Sequence, residues 1–183
     1  VVATMFIGGC TAEDRPDTDL VWAVNVGGPA YTGVEGTAYV AEEDVSGGEV
    51  GSMPMVKGSS DADLYKTYRE GDVEIARSIA NGTYDVTLYF AEPDEIAADE
   101  RVFDAYAEGE RVIDDLDVML FRDGKVISAL TVTVPDVVVE DGELIRTSEF
   151  PGDQYIMRIR APKCAAAARA GTFVHVTCDD ALP

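Results

Sequence analysis

Apolar and polar side chains alternate with a period of two along most of this chain, the signature of half-buried β-strands. Leu20–Val26 is rich in β-formers and stops at Gly27-Gly28-Pro29. Val73–Ile79 alternates strictly, and Asn81-Gly82 offers the positive φ angles of a tight hairpin turn. In the strand after it, Tyr84, Val86, Leu88 and Phe90 share one face, while Asp85, Thr87 and Tyr89 share the other. Phe103, Ala105 and Ala107 repeat the period, and Glu108-Gly109-Glu110 turns the chain into Arg111-Val112-Ile113. Further strands are predicted at Val118–Phe121, Ile127–Val134, Leu144–Thr147 and Tyr155–Arg160, with turns at Asp123-Gly124 and Asp141-Gly142. No βαβ alternation and no internal repeat is visible. The pattern predicts an all-β fold, an antiparallel β-sandwich. A single short helix near the C-terminus is predicted at Lys163–Ala170, alanine-rich and closed by Gly171.

The first ten residues, VVATMFIGGC, form an apolar run too short to cross a bilayer. They resemble the tail of a lipoprotein signal peptide, in which small residues precede a cysteine that becomes the lipidated N-terminus. On that reading residues 1–10 are a leader remnant ending at the lipidation site Cys10, and 11–19 are an acidic tether. Residues 20–183 are then the folded domain, held by lipid at the outer face of a membrane. The alternative reading of the opening run is a buried first strand.

Composition narrows the function classes. The 183 residues, 46% hydrophobic and 27% charged, suit one domain with a sizeable core. The net charge of −21 excludes nucleic acid as an expected partner, because no basic patch is present to meet phosphates. Lysine is confined to Lys57, Lys66, Lys125 and Lys163. An acidic surface so poor in lysine suggests adaptation to high salt, where cations screen the self-repulsion. An ordinary acidic secreted protein is the alternative. With Cys10 set aside, Cys164 and Cys178 are placed to form one disulfide, worth roughly 3 kcal/mol for a loop of about 15 residues. With no CxxC pair and a single histidine, His175, no zinc site is expected. There is no nucleophile elbow, phosphate loop or dinucleotide fingerprint, so no enzyme is expected.

Several blocks together carry a family resemblance. These are Val24-Asn25-Val26-Gly27-Gly28, Leu64 through Asp72 (LYKTYREGD), Asn81 through Glu92 (NGTYDVTLYFAE) and Arg101-Val102-Phe103-Asp104. Gly109, Val112 and Asp117-Val118 follow in the same order. This set resembles malectin domains from about Trp22 to Val118. The resemblance implies a jelly-roll-like β-sandwich of the galactose-binding type that binds oligo- or polysaccharide without chemistry. Its sugar site lies on loops at one end, where aromatic planes cover the C–H face of a sugar and carboxylates accept from hydroxyls. Tyr39 matches one of the family's aromatics, and Tyr65 and Tyr68 lie within a family motif or serve as packing. Tyr31 sits in an exposed-looking loop. Glu92 ends a strand, to accept from sugar hydroxyls or to pair with Arg101, and Asp94 follows it. The aromatic pair that follows Phe-Ala-Glu in animal malectin is replaced here by Pro93-Asp94-Glu95-Ile96. Asp94, Glu95, Asp99 and Glu100 form a solvated acidic loop, with bound calcium as the alternative. The competing function is a cell-envelope module that binds protein through a degenerate sugar site.

Overall fold

The computed structural model describes residues 2–9, 20–140, 143–150 and 154–160, with side chains described over 20–140. The chain divides into two units, Val1–Val139 and Glu140–Pro183. The first carries β1 (Val2–Gly9), β2 (Leu20–Asn25), β3 (Tyr31–Thr32), β4 (Ala38–Tyr39) and β5 (Val45–Ser52). It continues with a 3-10 turn at Ala62–Tyr65, then β6 (Thr67–Ile75), β7 (Gly82–Phe90), β8 (Phe103–Ala107), β9 (Glu110–Leu116), α1 (Val118–Phe121) and β10 (Leu130–Val139). The second unit contains the antiparallel pair β11 (Glu143–Phe150) and β12 (Gln154–Arg160). Both were legible as alternating runs. The fold is the all-β antiparallel sandwich that the alternation predicts.

A six-stranded sheet runs β10-β7-β1-β6-β5, with β2 also paired to β1. β2 is buried on both faces. Trp22, Val24 and Val26 pack with Tyr84 on one side, while Ala23 packs with Tyr39, Leu64 and Tyr65 on the other. The even-numbered face of β7 divides its work. Tyr84 joins the Trp22 cluster, and Leu88 and Phe90 pack under Leu116, Val118 and Phe103 of the β8–β9 region. The rings of Phe90 and Phe103 lie 5.5 Å apart. The edge strand β5 is broken by a bulge between Gly47 and Glu49, which twists its unpaired edge away from further pairing.

Three local expectations are corrected. Asn81-Gly82 does not form a hairpin turn. Neither residue has a positive φ, and β6 pairs with β5 and β1 rather than with β7. The reason is that β1 lies between them in the sheet. Val118–Phe121 is a helical turn and not a strand. Asp117 caps it, its Oδ1 accepting the Leu120 N–H at 3.0 Å. The strand predicted from Ile127 begins at Leu130. The opening run forms the strand β1. Cys10, Cys164, Cys178, His175 and the predicted helix at Lys163–Ala170 lie outside the described residues. No helix among the described residues is long and apolar enough to cross a membrane.

Candidate functional site

Four tyrosines from three segments meet at the β3–β4 side of the sheet. β3 and β4 form a small hairpin closed by Gly33 N–H to the Thr37 carbonyl at 2.8 Å, which sets Tyr31 opposite Tyr39. Their ring centroids are 6.1 Å apart. Tyr39 then meets Tyr89 of β7 edge-on at 6.4 Å, and Tyr89 meets Tyr65 edge-on at 6.0 Å. Edge-to-face contacts of this kind add to what burial alone supplies. The Tyr39 hydroxyl donates to that of Tyr89 at 3.5 Å, and the Tyr65 and Thr131 hydroxyls meet at the same distance, 3.5 Å.

Access alternates along this chain of rings. Tyr39 is 5% exposed and Tyr65 is 1% exposed, so both belong to the core. Tyr31 and Tyr89 are half-buried. Asp61 stands beside Tyr31. Its Oδ1 accepts from the Tyr31 hydroxyl at 3.0 Å and from the Val34 N–H at 2.6 Å, while its own N–H donates to the Ser59 hydroxyl at 3.1 Å. Both acceptor bonds fall on Oδ1. Burial, and then the bond to Asp61, pushes the Tyr31 phenol above its usual range. Burial does the same, much more strongly, to Tyr39. These phenols therefore stay neutral at any physiological pH, as stacking surfaces and hydroxyl partners must.

The other expected site residues fall elsewhere. Tyr68 is buried on β6 with Met53 and Leu64. Glu92, 2% exposed, is not open to a ligand: Oε1 pairs with Arg101 Nη1 and accepts the Asp94 N–H at 3.0 Å. Arg101 also reaches Asp94 Oδ2 at 3.0 Å and Glu70 Oε1 at 2.6 Å. The pairing reading of Glu92 is the one the structure adopts. In the acidic loop, Glu100 accepts the Ala97 N–H at 2.8 Å, and the Asp99 N–H donates to Asp117 at 2.6 Å. Among the described residues, the acids that gather three carboxylates within 4.8 Å of one another are instead Asp104, Asp114 and Asp115. Arg111 offsets part of that charge, reaching Asp114 at 2.6 Å and Asp104 at 3.4 Å.

Tyr89 and Asp61 were not among the residues expected at the site. Tyr89 carried a signal: a large aromatic on the polar face of β7, where a merely solvated strand would place a small or charged side chain. Asp61 carried only a local one, an acid at the head of the short turn Ala62–Tyr65.

The malectin domain model matches residues 20–163. Human malectin is 28% identical over 189 residues, covering 93% of this chain and 63% of that protein. Malectin-A of Xenopus laevis is 31% identical over 110 residues, covering 54% of this chain and 39% of its own. Mouse malectin is 28% identical over 187 residues, covering 92% and 62%. The chain thus spans less than two thirds of the length of these relatives. No solved structure matches it significantly. With the match running unbroken from β2 past β12, the chain belongs to the malectin domain family.

Proposed function

We propose that this domain binds oligo- or polysaccharide, without acting on it chemically, at the β3–β4 side that carries Tyr31, Tyr89 and Asp61. The single observation that carries the reading is that Tyr31 and Tyr89, on either side of Tyr39, are half-buried, with the Asp61 carboxylate fixed beside Tyr31. A sugar's C–H face fits a neutral aromatic plane, and its hydroxyls fit a carboxylate oxygen. Family membership supports the same class of ligand. The buried tyrosines Tyr39 and Tyr65 act in this reading as the backing that holds Tyr89 in place. A non-catalytic role is supported by the engagement of the enclosed acids: Glu92 is paired to arginine, and Asp117 caps a helix.

Affinity is expected to be modest. A disaccharide of about 23 heavy atoms at about 0.3 kcal/mol per atom gives about 7 kcal/mol, or roughly 10 µM. Calorimetry of the full chain against glycans drawn from an array tests the proposal. Tyr89→Ala is expected to weaken binding at least about tenfold, the loss of about 1.4 kcal/mol of ring contact. Tyr89→Phe should bind nearly as well as the parent. A folded protein that binds no glycan on the array would sink the proposal. A protein-binding role is the second reading, favoured by Leu120 and Phe121, which are 61% and 62% exposed on α1. An outward-facing location belongs to the proposal as well.

A further inference from the structure

β1 is set into the middle of the large sheet, not laid along its edge. Seven of its residues are in register with β7, from Val2 opposite Phe90 to Gly9 opposite Tyr84. Thr4, Met5, Phe6, Ile7 and Gly8 are also in register with β2, and Val2 pairs with Arg69 of β6. The backbone of Thr4–Gly8 is therefore paired on both sides.

The sheet depends on this strand for its continuity. Among the described strands β7 pairs only with β10 and β1, and β6 only with β5 and β1. β2 has a ladder with β1 and otherwise a single bridge, Val24 to Val40. Without β1 the sheet divides into β10–β7 and β6–β5, and β2 loses its ladder. Facing rows of N–H and C=O groups on β7 and β2 would be left without partners inside a buried layer. Leu88 and Phe90 on β7, and Trp22 and Val24 on β2, are core residues, so the gap would open through the middle of the hydrophobic interior.

A cleaved leader cannot do this work, because the cut that makes Cys10 an N-terminus lies between Gly9 and Cys10 and releases β1. We infer that Val2–Gly9 is a permanent strand of the sandwich and that Cys10 is an internal residue of the mature chain. Residues 10–19 are then the connection between two paired strands, since Gly8 stands opposite Leu20 at its far end. The inference is independent of what the tyrosine end binds.

Hydrogen exchange on the full chain, with the N-terminal sequence of the native protein read by mass spectrometry, tests it. The amides of Thr4–Gly8 are expected to exchange at least about 100-fold slower than in an unfolded peptide, in step with Val86–Leu88 of β7. Native protein is expected to yield a peptide that runs through Gly9-Cys10 uncut. Fast exchange at Thr4–Gly8 while β7 and β10 stay protected overturns the inference. So does native, cooperatively folded protein whose chain begins at a lipid-modified Cys10.

Discussion

Arg101 shows what one side chain can hold together. Its guanidinium joins the end of β7 at Glu92, the loop after it at Asp94 and β6 at Glu70. Glu92 is almost fully enclosed, so Arg101→Ala leaves a carboxylate in the interior with one backbone donor. A loss of about 3 kcal/mol is expected, measured by urea unfolding. Arg101→Lys should recover only part of it, because a lysine cannot span the three acids with a planar fork. Asp117 makes a prediction about acid. N–H donors from Asp99, and then from Leu120, hold its carboxyl below the usual carboxylate range. A depressed folded-state value means stability that is present above the unfolded value of about 3.9 and is lost as pH falls through the folded one. Asp117→Asn is therefore expected to cost stability at pH 7, with the gap to the parent closing below about pH 4. A gap that stays constant down to pH 2 would contradict the assignment. The residue scale is also where the sequence was least legible. Glu92 and Tyr39 were sound candidates by type and order, but only packing shows that Arg101 occupies the first and that the core encloses the second.

Among the elements, the β8–β9 hairpin was readable in advance and the β6–β7 hairpin was misread. Glu108 and Gly109 both take positive φ, 51° and 78°, giving the two-residue turn whose twist suits antiparallel strands. Among the described residues nothing lies within 4 Å of where a Gly109 side chain would sit, so Gly109→Ala should cost only the backbone strain of about 1 kcal/mol. Gly27, at φ 75°, is different, because a Cβ there would stand 2.6 Å from the Tyr68 carbonyl oxygen. Gly27→Ala is expected to cost at least about 2 kcal/mol more than Gly109→Ala in parallel thermal melts. Equal costs would show that β2 and β6 give way easily at this point. Asn81-Gly82 carried the same turn chemistry as Glu108-Gly109 and yet forms no hairpin. A turn signal is local, and β1, a strand distant in the chain, takes the place beside β7. Val118–Phe121 failed for another reason: four apolar residues in a row fit a strand or one helical turn equally well, and the cap from Asp117 decides.

For the whole molecule the net charge of −21 is the dominant fact. Ion pairs such as Arg69 with Glu42 at 2.6 Å neutralise only some of the acids, since 14 lysines and arginines face 35 aspartates and glutamates. Self-repulsion among the rest is screened by salt. We expect stability to rise by about 2 kcal/mol between dilute buffer and about 2 M sodium chloride, seen as roughly 4–8 °C in the melting temperature. A flat salt response would remove the argument for a high-salt adaptation. By itself the sequence determined the strand class, most strand positions and the acidic character, because alternation, turn chemistry and charge are properties of neighbouring residues. Only the tertiary structure decided that the opening apolar run lies at the centre of the sheet. It alone chose that Tyr31 stays half-buried beside Asp61 and which acids are already paired. Those outcomes depend on segments far apart in sequence meeting in space, and a side chain's access and partners are set by that meeting.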